Sequence, residues 1–216
     1  MLNMATTEGN TGQDNTEQRI MKAAEELFLM NGFARTTTVA IARKAGVTHA
    51  MLHYYYRTKE HIFIRVLDRN LTELLASFHP VMKKDAPFWV TLESGISTHF
   101  DYLMNHPQLP SFIIDTMRYS PELLESYKPR IMATLGRILD FHIAIIREEV
   151  EKGRIRKVDP LQLLLDIVTL NLSVFLLLPA ARKLFSGVDD AEVQRILNDR
   201  KKEIITLVRS RLYGES

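Results

Sequence analysis

The sequence predicts an all-α protein built from two domains, a small N-terminal three-helix domain with a helix-turn-helix and a larger C-terminal helical domain. Apolar residues recur at three- and four-residue spacing through most of the chain, with almost no strand-like alternation. Near the N-terminus a single glycine, Gly46, joins two short helical patterns. From Pro87 onwards, prolines divide the chain into segments of ordinary helix length.

Composition sets the first limits on function. The chain has 216 residues, of which 46% are hydrophobic and 25% charged, as in a soluble globular protein. It has no cysteine, which excludes disulfides and thiolate metal sites and suits the cytoplasm. No basic region followed by an apolar run opens the chain, so we expect no signal peptide. The net charge is +2, but residues 16–66 hold 8 basic and 4 acidic side chains, a local +4 that favours contact with phosphates.

The first predicted helix follows a polar N-terminal segment. Residues 1–14 are predicted to be a disordered tail because they contain little apolar surface. Asn15 or Thr16 is expected to cap the helix, and Asn31-Gly32 to end it. Its buried stripe is formed by Ile20, Ala23, Ala24, Leu27 and Phe28.

The next two helices form the helix-turn-helix, within a domain predicted to span residues 15–67. One of Thr36, Thr37 and Thr38 caps the second helix, and Gly46 ends it, since glycine takes a positive φ at no steric cost. Thr48 then caps a third helix. Two helices joined by a tight turn with glycine predict that the second of them enters the DNA major groove.

The side chains around the third helix suit a nucleic-acid surface. Hydrogen-bonding groups near its N-terminus would meet base edges, Ala50 would let the backbone approach, and the tyrosines that follow would reach phosphate oxygens. Thr58 caps a fourth helix and puts Lys59 in its first turn, a favourable place for a phosphate. The residues expected to touch DNA are Thr37, Thr38, Thr48, His49, Ala50, His53, Tyr54, Tyr55 and Lys59.

The run A-x-x-A-G-V-T, followed by L-H-Y-Y-Y-R-T-K-E, resembles the DNA-binding domain of TetR-family transcriptional regulators. The resemblance covers residues 16–67, about the first third of the chain. Ala50 stands where the family often has glycine and His53 where it often has tyrosine, so the departures concern which bases are read. The resemblance implies that Tyr56 packs under the corner and that the second domain binds a small effector. It also implies a two-fold homodimer, joined through the last two long helices, on a pseudo-palindromic operator.

The second domain is predicted to span residues 68–216. A fourth helix, Thr58–Phe78, leads into it and ends before Pro80. The helices expected after it are Phe88–Asn105, Ser111–Arg118, Pro121–Lys152, which Pro129 would break, Pro160–Phe185 and Ala191–Tyr213.

The last two helices are expected to contribute to a partner interface. Leu161 to Leu178 is apolar enough to suggest a membrane span, but Gln162, Asp166, Thr169 and Ser173 form a polar stripe along it, and a central Asp is costly in lipid. We therefore expect this helix to be covered by its own domain on one side and by a second chain on the other. The stripe expected on the last helix is Val193, Ile196, Leu197, Ile204, Val208 and Leu212. A monomeric bundle is the alternative.

Catalytic patterns are absent from the sequence. None of the seven histidines has a glutamate three residues before it, and no G-x-S-x-G, H-E-x-x-H or Walker-type loop occurs. We expect no enzyme activity, cofactor, metal or membrane partner. Side chains that would line an apolar effector pocket, or else fill an ordinary core, are Trp89, Phe100, Tyr102, Phe112, Met117, Phe141 and His142. Together with the resemblance, which implies the effector, the sequence predicts a DNA-binding transcriptional repressor released by a small effector; the alternatives are a DNA-bound architectural or cell-cycle factor without an effector, and a helical enzyme.

Overall fold

A computed structural model describes residues 8–83, 85–184 and 189–214, and these residues form helices and no strand. In chain order the helices are α1 (Glu8–Arg35), α2 (Thr38–Ala45), α3 (His49–Tyr55), α4 (Lys59–Phe78), α5 (Phe88–Asn105), α6 (Leu109–Tyr119), α7 (Pro121–Glu151), α8 (Pro160–Leu184) and α9 (Asp190–Tyr213). The all-α prediction is confirmed. The chain divides into two compact units, each with its own core.

Most helix ends agree with the predicted boundaries. α5 has the predicted limits, and α6, α7 and α9 differ from theirs by one or two residues. α8 begins at Pro160 as predicted, and its predicted end, Phe185, lies outside the described residues. The expected break at Pro129 does not occur, since Pro129 lies inside the continuous α7. A proline removes only one hydrogen bond of the helix, and here the flanking turns keep the helical path.

α1 differs from prediction at its beginning. Residues 8–14, expected in a disordered tail, are part of α1, while residues 1–7 lie outside the described residues. A helix that has already formed gains one hydrogen bond for each residue added to its end, so its extension avoids the cost of nucleation. Residues 8–14 also contain no proline, which would interrupt the helix. The predicted stop at Gly32 is a break inside α1: Gly32 adopts φ 74°, ψ 168°, and a last short turn runs on to Arg35.

The first unit comprises residues up to Asn70 together with Phe112–Lys128. Its core holds an aromatic cluster in which Phe63 lies 5.6 Å from Phe28 and 5.2 Å from Phe33, ring centre to ring centre. Phe112 joins this cluster, 5.3 Å from Phe63. The unit is therefore larger than the predicted 15–67, because a segment more than forty residues further along the chain completes its core.

The second unit comprises Leu71–Ser111 and Pro129–Ser216. Its core is lined by Leu92, Ile96, Phe100, Ile146, Leu163, Ile167, Phe175, Val193, Leu197, Ile204, Val208 and Leu212. Most of the apolar stripe of α9 is thus buried within its own unit, which differs from its predicted use at a partner interface. Helical periodicity shows that a face is buried but not what covers it.

Helix α8 is the most apolar element described. Its stretch Pro160–Ala181 has a mean hydropathy of 2.1 and is long and apolar enough to cross a membrane by length and composition alone. Asp166 and Gln162 are nevertheless exposed along it, in the predicted polar stripe.

Candidate nucleic-acid interface

The turn between α2 and α3 is fixed by backbone geometry. Gly46 adopts φ 67°, ψ 37°, a left-handed conformation that glycine takes without steric cost. Its N–H donates to Arg43 O at 3.2 Å, and the N–H of Val47 donates to Ala42 O at 3.0 Å. These two bonds form a Schellman motif, which ends α2 and sets the direction in which the chain enters α3.

A residue that sequence reasoning missed holds this turn from outside. The guanidinium of Arg19, on α1, donates from Nε to Ala45 O at 3.0 Å and from Nη2 to Gly46 O at 2.8 Å. The last carbonyls of α2 carry the negative end of the helix dipole, so a cation there is favourable. The only sequence signal was an arginine directly before the buried stripe of α1, which does not reveal its partner.

Caps and two buried side chains position α3. Thr48 Oγ1 accepts from the N–H of Met51 at 3.1 Å, as predicted, and Leu52 is fully buried. Tyr56, just after the helix, is also buried, and its hydroxyl donates to Glu17 Oε1 at 3.0 Å. Burial raises the pKa of the Tyr56 phenol, and the Glu17 carboxylate raises it further, so Tyr56 stays neutral. The packing of Tyr56 under the corner agrees with what the resemblance implied.

Three polar side chains of α3, those of His49, His53 and Tyr54, form an exposed polar face. His49, Ala50 and His53 are exposed, and Tyr54 keeps 75% of its surface. The ring of His49 reaches back to α2, where its Nε2 lies 3.0 Å from Thr38 Oγ1. His53 Nδ1 lies 3.1 Å from the carbonyl oxygen of Arg57. The structure thus brings most of the predicted base-reading side chains together on one surface.

Thr36 and Thr37, the two residues before α2, have separate roles. Thr37 is the N-cap, since its Oγ1 accepts from the N–H of Ala40 at 3.1 Å. Thr36 is buried, and its hydroxyl lies 2.8 Å from Gly32 O and 3.0 Å from Leu27 O, which joins the broken end of α1 to the start of α2. Thr37 is exposed and Thr38 half-buried, so both are near the surface where a phosphate contact is predicted.

Lys59 is anchored within the unit. Thr58 caps α4 as predicted, with Oγ1 accepting from the N–H of His61 at 3.1 Å. The Lys59 ammonium donates to Phe33 O at 3.0 Å and lies 4.1 Å above the centre of the Phe33 ring. An ammonium has three N–H donors, so the predicted phosphate contact would use one that Phe33 O does not.

Three further basic side chains of this unit differ in their surroundings. Lys44 pairs with Glu26 at 2.8 Å, and this hydrogen bond lowers the pKa of the Glu26 carboxyl. Arg43 and Arg57 are exposed, at the end of α2 and directly after α3. Sequence reasoning counted these arginines in the local charge but assigned no contact to them.

Comparison with known proteins agrees with this geometry. Residues 20–66 match the family model described as bacterial regulatory proteins, tetR family. The chain is 25% identical over 192 residues, 89% of each chain, to the fatty acid metabolism regulator protein of Bacillus subtilis. The chain is a transcriptional regulator of the TetR family. It is also 27% identical over 152 residues, 70% of this chain and 69% of the relative, to the regulator RutR of Escherichia coli K12.

A solved structure shows the same fold over almost the whole length. The B. subtilis regulator FadR, solved with stearoyl-CoA, superposes on this TetR-family chain with a TM-score of 0.68 at 21% identity, covering 91% of this chain and 100% of FadR. At 21% identity, this comparison shows that the two chains share a fold and no more.

The predicted effector-pocket residues of this TetR-family regulator fall into two groups. Phe112 and Met117 belong to the first unit, where Phe112 is core and Met117 is 60% exposed. The second unit holds the rest: Trp89, Phe100, Tyr102, Phe141 and His142. Phe100 is fully buried against Phe175 at 5.2 Å, so it fills the core in this structure.

Two sets of polar side chains lie inside the second unit, and sequence reasoning identified only His142 among them. His142 donates from Nδ1 to Ile138 O at 2.7 Å, and its buried Nε2 has no partner among the described residues. Asn171, fully buried on α8, donates from Nδ2 to Ile96 O at 3.2 Å and lies 3.1 Å from His99 Nδ1. Asn171 Oδ1 is likewise buried and unpartnered within the described chain, so two acceptors face the interior.

Burial keeps His99 and His142 neutral. It lowers the pKa of His99 to about 4 and also lowers the pKa of His142, although the His142 hydrogen bond to Ile138 O opposes the second shift. Because Asn171 Nδ2 is a donor, His99 Nδ1 must be the acceptor, which places its proton on Nε2.

The first unit contains a cleft of about 280 Å³ between the broken end of α1 and α6. Its walls are Asn31, Gly32, Phe33, Ala34 and Arg35 on one side and Asp115, Thr116, Tyr119 and Ser120 on the other. None of the predicted effector-pocket residues lines it.

Proposed function

We propose that this TetR-family chain is a repressor that binds a pseudo-palindromic operator as a two-fold homodimer and is released by a small effector. The observation that supports it best is the exposed polar face of α3, presented on a turn that Gly46 and Arg19 fix. A short helix with a rigid entry and an exposed row of hydrogen-bonding side chains has the form of a major-groove reader.

The contacts divide into two kinds. Thr48, His49 and His53 would meet base edges, with Ala50 leaving room for the backbone to approach. The phosphates would be held by Thr37, Thr38, Tyr54, Tyr55 and Lys59. Because Thr38 lies 3.0 Å from His49 Nε2, a phosphate bound by Thr38 would also orient the His49 ring.

The partner surface would centre on α8. Only 28% of its most apolar window is buried within the chain, and Leu161, Leu165 and Leu177 are exposed. Leu161 and Leu165 are one turn apart on the same side of the helix. α9 would add Leu207, since its main apolar stripe already belongs to the core of its own unit.

The dimer has a direct test. Leu165→Glu should convert the protein to a monomer, measured by size exclusion with light scattering at micromolar concentration, because it places a charge in the covered face. Met132→Glu, at another exposed apolar residue of the second unit, is the matched control and should leave the dimer intact. A wild-type protein that is a stable monomer would contradict the proposal.

The effector would be small and apolar or amphipathic, bound inside the second unit. The B. subtilis relative FadR was solved with stearoyl-CoA, which makes acyl chains and their CoA esters the first compounds to test. Trp89, Phe141 and the unpartnered Nε2 of His142 would contact the effector. A ligand at a hundredfold its Kd should add ~2.7 kcal/mol of stability. A panel that shifts no melting temperature would favour the architectural factor without an effector.

Selection from random duplex DNA tests the whole proposal at once. We expect enrichment of a site with two-fold symmetry, bound with an affinity that falls steeply with salt. The bound protein would work in the cytoplasm, where the chromosome is. Failure to enrich any sequence, with binding that does not depend on salt, would overturn the proposal.

A further inference from the structure

Two imidazoles lie side by side on the exposed face of α3. His49 and His53 are four positions apart in the run H-A-M-L-H, so they project from the same side of the helix one turn apart. Their ring centres are 4.4 Å apart, with the ring planes at 89°. Base reading needs hydrogen-bonding groups but does not require two imidazoles in contact.

Each ring has one nitrogen held by an oxygen. His53 Nδ1 must donate its proton, because its partner at 3.1 Å is the carbonyl oxygen of Arg57, which only accepts. The lone pair of neutral His53 is therefore on Nε2. His49 Nε2 lies 3.0 Å from Thr38 Oγ1, which accepts if His49 carries its proton on Nε2 and so has its lone pair on Nδ1.

Two features of this pair, the spacing along the helix and the supporting oxygens, are those that metal-binding histidines have in proteins. Two histidines at i and i+4 on one helix face are the pair that zinc proteases use, and a ligating imidazole almost always donates its second N–H to an oxygen. The oxygens of Thr38 and Arg57 occupy that supporting position here. The carbonyl of Arg57 fixes the tautomer of His53, and the hydroxyl of Thr38 can accept from the tautomer of His49 that would offer its Nδ1 lone pair to a cation.

We propose that His49 Nδ1 and His53 Nε2 bind a divalent transition-metal ion, with Zn²⁺, Ni²⁺ and Cu²⁺ as the candidates and water completing its coordination. Imidazole nitrogen is a ligand that these ions share, at about 2.0–2.1 Å for zinc. Among the described residues no group of three or more His, Cys, Asp or Glu is placed to hold a metal, so the site has two protein ligands. An ion held this way is open to solvent and exchanges freely.

The position of the pair gives the ion a consequence, which rests on the proposed function. The same two imidazoles are expected to meet base edges, and a lone pair engaged by a metal cannot accept from a base. Metal and operator would therefore compete for α3, and by linkage each would weaken the binding of the other by the same factor.

Titration of the full-length protein without DNA tests the site itself. Isothermal calorimetry with ZnCl₂ and NiCl₂ should show one ion per chain, whereas MgCl₂ should show none, since Mg²⁺ prefers oxygen ligands. His49→Gln and His53→Gln should each weaken zinc binding at least tenfold. His61→Gln, which removes an exposed histidine of α4 in the same unit, is the matched control and should bind zinc as the wild type does.

One further variant tests the supporting oxygen of Thr38. Thr38→Val should weaken zinc binding less than His49→Gln, because it removes a supporting oxygen and not a ligand. Circular dichroism verifies that each variant is folded. Equal zinc affinity in His53→Gln, His61→Gln and the wild type, or no binding at millimolar ZnCl₂, would overturn the site.

The competition is measured separately, with the duplex obtained by selection. Zinc at saturating concentration should lower operator affinity at least tenfold in fluorescence anisotropy, and EDTA should restore it. His61→Gln should respond like the wild type. If zinc binds the free protein but leaves operator affinity unchanged, the metal site stands and the competition is wrong. A chain that binds zinc but selects no DNA would contradict the proposed function and leave the site supported.

Discussion

The ammonium of Lys59 lies 3.0 Å from the carbonyl oxygen of Phe33 and 4.1 Å above the centre of the ring of the same residue. One side chain thus joins the first turn of α4 to the last turn of α1, beyond the break at Gly32. The lysine that the sequence predicted as a phosphate contact is also part of the packing of the first unit.

Lys59→Ala should therefore have two effects. Loss of the hydrogen bond and of the cation–π contact should lower the free energy of unfolding by ~1–2 kcal/mol. Loss of a phosphate contact should flatten the dependence of log K on log salt by about one unit and weaken binding to all sequences alike. Urea unfolding and anisotropy at several salt concentrations measure the two effects.

Phe33→Leu separates these roles, because it removes the aromatic ring but keeps the carbonyl and the lysine charge. It should lower stability and leave the salt slope unchanged. If Lys59→Ala also leaves the slope unchanged, Lys59 is a packing residue and does not contact a phosphate.

Arg19 is expected to position α3 without touching DNA. Its two hydrogen bonds to Ala45 O and Gly46 O tie α1 to the turn. Arg19→Met keeps the aliphatic stem and removes both donors, so it should lower stability by about 1–3 kcal/mol and weaken DNA binding at an unchanged salt slope. Lys22→Met removes the same charge from an exposed position of α1 and is the matched control. Equal effects of the two variants would show that charge, and not the bond to the turn, matters.

Local signals in the sequence predicted the helices and the exposed face of α3. Thr48 and Thr58 cap helices as expected, and Gly46 ends α2, because caps and a positive φ depend on residues within a few positions. His49 and His53 could be assigned to one exposed surface because helical spacing alone places them there.

Contacts between distant segments could not be predicted in this way. Phe112 reads as one more apolar residue of a helical pattern, and nothing in its neighbourhood indicates that Phe63 is its partner. Nothing near Lys59 in the sequence indicates its contact with Phe33 either. The apolar stripe of α9 likewise does not reveal that other helices of its own unit cover it. Asn171 gives no signal at all, since a polar residue in an apolar helix is equally consistent with an exposed stripe.

Acidification should destabilise the second unit through His99. Burial lowers the pKa of His99 to about 4, whereas in the unfolded chain it is about 6.5. The unfolded state therefore takes up the proton first, so the stability contribution is complete above pH 6.5 and is lost as the pH falls towards 4. The loss from this residue should reach roughly 3 kcal/mol.

Urea unfolding at pH 7, 6 and 5 measures this dependence. His99→Gln should flatten it, and His61→Gln, at an exposed histidine, should not. His142, whose pKa burial also lowers, should leave a residual dependence of the same sign in the His99 variant. An identical slope in His99→Gln and the wild type would mean that His99 is not the group that takes up the proton.

Gly95 and His142 should be energetically coupled. A Cβ at Gly95 would lie 2.7 Å from His142 Nε2, closer than side chains tolerate, so α5 can pack against this ring only because residue 95 has no side chain. Gly95→Ala should cost ~1–3 kcal/mol from overpacking, even though alanine favours a helix by ~1 kcal/mol over glycine. Gly136→Ala on α7, where a Cβ would meet nothing within 4 Å, is the matched control and should stabilise the protein.

A double-mutant cycle isolates the contact. His142→Ala removes the ring that the new Cβ would strike, so Gly95→Ala should cost less, or become stabilising, in that background. The difference between the two backgrounds in urea unfolding is the coupling energy, and we expect at least ~1 kcal/mol because the clash is with a buried ring whose Nδ1 is held by Ile138 O. Additive effects of the two substitutions would show that the ring rotates away freely and that residue 95 is glycine for another reason.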